Sequence, residues 1–212
     1  AAKDERVAQL FSQVAAPEAL RPILGMQDPY AYRNKVMSPF APGAPRKAAP
    51  AKRGGGKRPS RPASPQRDIL CGMYAAGTHR IIDTGECLIE NAQAKQVIRE
   101  VRSLMLKFGI PPYDEDRGTG LVRHAVLRAS REGKVLVTIV TARPELPGSR
   151  NFCTALRKAA PWVVGIVQNI NPTQTSAVLG NREKTLFGRD FVADTLCGLQ
   201  FAISSRSFYQ VN

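Results

Sequence analysis

The sequence predicts an α+β domain, a mainly antiparallel sheet with two or three helices, interrupted by a disordered basic insert. Three observations predict it. Two stretches repeat their apolar residues at the helical period. Several short runs alternate at period two between Gly-containing turns. One stretch is too rich in Pro, Gly and cationic residues to pack. There are no internal repeats.

Taken in order, residues 4–14 place Val7, Leu10, Phe11 and Val14 on one helical face, a short amphipathic helix. Asp28-Pro29-Tyr30 reads as a turn, and Tyr32-Arg33-Asn34-Lys35-Val36-Met37 as a strand with basic residues on one face. Residues 42–67 hold six of the sixteen prolines and the triplet Gly54-Gly55-Gly56, with almost nothing to bury, so packing cannot offset their ordering entropy. They interrupt a strand pair, 34–40 with 69–75. A hairpin loop accepts so long an insertion because closure cost grows only logarithmically with length.

Residues 91–108 form the clearest helix. Val97, Ile98, Val101, Leu104, Met105 and Phe108 make one buried stripe, Asn91 is the N-cap, and Gly109 before Pro111-Pro112 ends it. The period then changes to two: residues 121–128 and 134–140 flank the hairpin signal Glu132-Gly133. Residues 149–159 read as a further helix, 162–170 as a buried strand, and 184–186, 191–196 and 199–204 as short antiparallel strands.

The net charge of +14 and a pI of about 10.2 point to a polyanionic partner, nucleic acid before acidic membrane. Eight Lys or Arg and no acid lie between residues 42 and 67, more than half of that excess. Membrane binding through this segment would need an amphipathic helix that its Pro and Gly forbid, and no apolar run is long enough to span a bilayer. Four widely spaced cysteines without a Cys-x-x-Cys pair argue against a zinc ribbon or a disulfide framework and for a reduced, cytoplasmic setting. Cys71, Cys153 and Cys197 read as small core residues. A monomer is expected.

Gly54-Gly55-Gly56 lies in the basic insert, outside the strand-to-helix context of a phosphate loop. His79 and His124 stand in no catalytic or metal-binding spacing; His124, beside Arg123 on a strand, would either touch RNA phosphate or pack at a sheet edge. Asp114-Glu115-Asp116 reads as a solvated loop.

The closing Phe208-Tyr209-Gln210-Val211-Asn212 follows a series of matches: Tyr32-Arg33-Asn34-Lys35, Arg123-His124-Ala125-Val126-Leu127-Arg128, Gln168-Asn169-Ile170-Asn171-Pro172 and Asp194-Thr195-Leu196. Together they resemble the RNA 5-methyluridine methyltransferases, S-adenosylmethionine enzymes acting on ribosomal or transfer RNA, here of the 23S rRNA (uracil-5-) type. The resemblance implies a helix at 1–16 associated with a catalytic domain, a central RNA-binding domain at 17–206, and the first residues of the methyltransferase domain at 207–212. It implies that Gln210 contacts the methyl donor and that Phe208 packs the flipped target base. It also implies that Arg33 and Lys35, with Arg123 and His124, face RNA. Cys87, after Gly77-Thr78-His79-Arg80-Ile81-Ile82-Asp83, matches the last of four cysteine ligands to an iron–sulfur cluster. The other three are expected upstream, and one thiolate cannot hold a cluster alone. The family's glycine-rich donor strand and catalytic Cys are expected beyond Asn212, so the 212-residue polypeptide is expected to be catalytically silent. A reading from another class, a non-enzymatic basic RNA-binding or ribosome-associated adaptor, fits the same composition.

Overall fold

A computed structural model describes residues 2–46 and 67–210, and the chain divides into two units, Ala1–Tyr30 and Ala31–Asn212. In the first, helix α1 (Ala2–Phe11) has no buried residue, and a single 3₁₀ turn follows at Pro17–Ala19. The Ile23 amide donates to Asp4 Oδ1 at 2.8 Å. The helix begins and ends earlier than its apolar spacing predicts, and Val14 lies beyond it.

The second unit is built on a seven-stranded sheet. In spatial order its strands are β3 (Ile81–Asp83), β2 (Arg67–Tyr74), β1 (Lys35–Pro45), β4 (Val122–Ala129), β5 (Val135–Thr141), β6 (Val163–Ile170) and β7 (Arg182–Gly188). Every neighbouring pair is antiparallel except β5 and β6, which need a crossover and obtain it from helix α3 (Ser149–Ala159). The predicted α+β class with a mainly antiparallel sheet is what the chain adopts. β3 carries no sequence signal beyond Ile81-Ile82; three residues are too few for a period to show.

Helix α2 (Ala92–Phe108) follows the sequence reading closely. Asn91 Oδ1 accepts from the Ala94 amide at 3.1 Å, and Gly109 takes the left-handed φ of 64° that closes the helix. Its stripe of Val97, Ile98, Val101, Leu104 and Met105 packs with Phe152, Cys153 and Leu156 of α3 on one face of the sheet, over Val36, Phe40, Ala125, Leu127, Val137 and Ile166.

The opposite face is covered differently. A two-stranded ribbon, β8 (Phe191–Leu196) and β9 (Leu199–Ser204), turns through Cys197 and Gly198, both at positive φ (51° and 79°), the two-residue turn that matches strand twist. Val192 and Ile203 of this ribbon meet Leu136 and Val167 of the sheet. Cys197 is therefore an exposed turn residue and not a core one.

Two boundaries of the sequence reading change. Residues 42–45 belong to β1 and Arg67 to β2; the rest of the predicted insert, 47–66, lies outside the described residues. β1 tolerates Pro39, Pro42 and Pro45 because residues 35–39 register with β4 and residues 40–45 with β2, so a missing N–H does not break a doubly paired ladder. The strand also starts at Lys35. Arg33 stands before it, its backbone bridging to Glu90.

Candidate functional site

After β9 the chain returns over the ribbon-covered face of the sheet, and this return carries Phe208 and Gln210. Four ties fix it. The Ser204 amide donates to Ser207 Oγ at 3.0 Å, the buried Arg128 guanidinium donates to the Ser207 carbonyl, the Tyr209 hydroxyl donates to Asp194 Oδ2 at 3.3 Å, and Asn34 Nδ2 donates to the Gln210 carbonyl at 2.8 Å. Asp194 is itself held, its Oδ1 accepting from the Arg131 and Thr195 amides at 3.0 Å each. With its neighbours immobilised, the Phe208 ring stays 94% exposed. It borders a cavity of about 560 Å³ shared with Tyr32, Asn34, Asp194, Phe201 and Gln210. A fixed backbone presenting an open aromatic face beside a carboxamide can stack on a planar group and both donate and accept hydrogen bonds.

The same end of the sheet gathers positive charge. Lys35 lies directly across from Arg128 in the β1–β4 register. Burial, and then the Arg128 charge, hold the Lys35 amine below the ordinary lysine range. Burial likewise lowers the pKa of Arg128, whose Nε and Nη1 have no partner among the described residues. Arg33, half-buried, is bracketed through its backbone by Ile89 and Asn91 (2.9 and 3.2 Å). Its charge counters the burial that pushes the Glu90 carboxyl up. Of the sequence-predicted site residues, Phe208 and Gln210 border one cavity with Asn34, while Arg33 and Lys35 flank Asn34 in the chain and do not line it.

Arg123 and His124 go elsewhere. Arg123 is 3% exposed and makes a two-pronged ion pair with Glu115, 2.8 Å on each prong. It also donates to the carbonyls of Asn171 (3.0 Å) and Thr173, and lies over the Tyr113 ring at 5.0 Å. The guanidinium predicted to face RNA is spent inside the protein. The physical reason is an irregularity in register between Val122 and His124, which re-aims the side chain. It also corrects in part the reading of Asp114-Glu115-Asp116 as a solvated loop, since the Glu115 side chain, 10% exposed, is paired with Arg123 while Asp116 stays exposed.

His124 takes the packed alternative. It is 7% exposed, its ring edge-on to Tyr74 at 6.0 Å, and burial, then the Arg123 charge, depress its pKa to about 4. A neutral imidazole is a poor phosphate ligand. Both residues belong to the wall of a second cavity of about 920 Å³. Asn171 fixes the opposite wall by donating to the Ala177 and Val178 carbonyls at 2.7 and 3.0 Å. Tyr74 and Arg128 are the residues that sequence reasoning left without a role. Arg128 ends a quoted motif, but its partner Ser207 is 79 residues away, and Tyr74 carries no motif at all.

Cys87 is half-buried, and its carbonyl accepts from Lys95 Nζ at 3.0 Å. Among the described residues no group of three or more His, Cys, Asp or Glu is placed to hold a metal ion, so an iron–sulfur cluster does not fit the ligands of this chain alone. No helix among the described residues is long and apolar enough to cross a membrane.

No family model matches the chain. Sequence comparison is decisive. An uncharacterized RNA methyltransferase of Halalkalibacterium halodurans is 35% identical over 99% of this chain, and one of Listeria monocytogenes is 36% identical over 94%. The chain is similar to RNA methyltransferases from end to end. It spans about two-fifths of their length, 42% and 38% respectively. Its structure superposes on the Pyrococcus abyssi tRNA (uracil-54, C5)-methyltransferase, solved in complex with S-adenosyl-L-homocysteine. The TM-score is 0.68 and the identity 16%, covering 99% of this chain and 43% of that one. The resemblance to RNA methyltransferases read from the motifs is borne out by the relatives, and the fold by this neighbour.

Proposed function

We propose that the chain is the RNA-binding part of an S-adenosylmethionine-dependent methyltransferase that modifies carbon 5 of a uridine, with ribosomal RNA as the substrate class. The observation that carries this is the pinned return at residues 207–210, which holds an exposed Phe208 and Gln210 on the cavity they share with Asn34, whose chain neighbours are the cations Arg33 and Lys35. Phe208 stacks on the target base, and Arg33 and Lys35 neutralise adjacent phosphates, contacts that position without reading sequence. S-adenosylmethionine supplies a methyl group on a sulfonium, and the Gln210 carboxamide is the one group of this chain assigned to hold it. Arg123 and His124 act indirectly, by shaping the sheet-face cavity.

The polypeptide on its own does not transfer methyl groups. Its thiols are poorly placed for nucleophilic attack: burial pushes Cys153 up to about 11 and raises Cys71, while Cys87 and Cys197 line none of the cavities described above.

Two experiments test the reading. Binding of the 212-residue chain to a ribosomal RNA fragment should weaken steeply with salt, and removing residues 47–66, which carry six Lys or Arg, should flatten that slope. Salt-insensitive binding would refute it. In the intact protein, Gln210→Ala should abolish 5-methyluridine formation in ribosomal RNA, read by nucleoside mass spectrometry, without changing RNA affinity. Loss of 5-methyluridine from transfer RNA alone would instead move the substrate to the class named for the Pyrococcus neighbour.

A further inference from the structure

The larger cavity, about 920 Å³, shares no lining residue with the one beside Phe208. Three rings run along it. His79 and His124 flank Tyr74 edge-on, with centroids at 5.5 and 6.0 Å and interplanar angles of 63° and 87°. Met37 and Met73, roughly half-exposed, offer polarisable surface beside them. At the mouth His79 Nδ1 pairs with Asp116 Oδ1 at 2.8 Å. His124, only 7% exposed, contributes wall and not a hydrogen bond, since its Nδ1, unpartnered among the described residues, is closed to any ligand.

The lining decides between a phosphate and a base. Glu115 and Asp116 bring two carboxylates into the cavity, against two guanidiniums, the buried Arg123 paired with Glu115 and the exposed Arg80. The phenol and the imidazole are uncharged at neutral pH, because burial drives Tyr74 up to about 12 and His124 down to about 4. With two guanidiniums against two carboxylates the lining offers an anion no net charge, and its uncharged rings suit a flat, neutral, hydrogen-bonding heterocycle. The walls are held in advance by Arg123 and Asn171, so the site does not have to form around its ligand.

We propose that this cavity takes one unpaired nucleobase of the RNA, distinct from the base that meets Phe208, packed against Tyr74, with His79, Met37 and Met73 lining the same cavity. The inference rests on the RNA-binding reading above and adds a second point of base recognition to it.

The test measures binding of the 212-residue chain to a ten-nucleotide single-stranded RNA of mixed sequence across a salt series. Tyr74→Ala should weaken binding roughly five- to a hundredfold at every salt concentration with the salt slope unchanged, because a stacking contact and no phosphate contact is lost. Tyr74→Phe, which keeps the ring, should restore wild-type affinity. By NMR, adenosine and cytidine monophosphates should shift the His124 and Tyr74 ring resonances, and ribose 5-phosphate should not. Equal shifts with ribose 5-phosphate, or a changed slope in Tyr74→Ala, would make this a phosphate site and overturn the proposal. Wild-type binding that Tyr74→Ala leaves intact would also overturn it, with the RNA-binding reading standing. No RNA binding by the wild type would overturn both.

Discussion

The two faces of the seven-stranded sheet are both buried, yet they are built from different chemistry. Under α2 and α3 the sheet presents Val36, Phe40, Ala125, Leu127, Val137 and Ile166, a dry apolar layer. On the other face the alternate positions of β4 are His124, Val126 and Arg128, with Thr138 opposite Val126 on β5. Four of the six buried side-chain atoms that lack a partner among the described residues lie there: His124 Nδ1, Arg128 Nε and Nη1, and Thr138 Oγ1. The first face holds the fold together. The second gives up stability to keep polar groups under the ribbon and the returning C-terminal segment.

That contrast predicts opposite responses at equally buried sites. Phe40, 0% exposed on the helix face, should cost about 3–5 kcal/mol as Phe40→Ala in urea unfolding, because it leaves a cavity in a close-packed layer. A loss below about 1 kcal/mol would mean that the helix face is not the stabilising one.

His124 gives the next largest effect, through pH. Its folded pKa of about 4 is below the ordinary histidine value, so the unfolded chain binds a proton that the folded chain refuses. Its contribution is complete above about pH 6.5 and lost as pH falls toward 4, amounting to roughly 3 kcal/mol. His124→Gln should remove this part of the acid destabilisation in melts between pH 7 and 4, and an unchanged pH profile would show that the ring is not held neutral.

Arg128 gives the smallest. At 3% exposure it is nearly as buried as Phe40, yet Arg128→Met should change stability by no more than about 1 kcal/mol, or raise it, since the guanidinium has one carbonyl partner and no counter-ion. The same variant should weaken RNA binding by releasing the Ser207 carbonyl. A loss as large as that of Phe40→Ala would erase the distinction between the faces.

The sequence made the helix face almost wholly legible and the other face only in part. The stripe of α2 and its Asn91 and Gly109 caps follow from local period and capping chemistry, which need no knowledge of distant residues. The opposite face is assembled by contacts that span the chain, such as Asn34 with Gln210 and Arg128 with Ser207. Motif matching singled out Arg33, Lys35 and Gln210 as candidates but could not show that the Gln210 carbonyl is tied to Asn34. Arg123 was misassigned because an irregularity in β4 leaves the alternating pattern of its sequence unaltered while redirecting the side chain to Glu115. Residues 42–45 read as part of the disordered insert because they offer so little to bury, and only the change of partner strand along β1 shows how they pair.

The most direct measurement is ultraviolet cross-linking of the chain to a ribosomal RNA fragment, with the cross-linked peptides identified by mass spectrometry. The expected result is cross-links at Phe208 and around Tyr74, beside any made by the basic residues 47–66, and none on α2 or α3. Cross-links concentrated on the outer surfaces of those helices, with Phe208 and Tyr74 untouched, would contradict the assignment of the polar face to RNA.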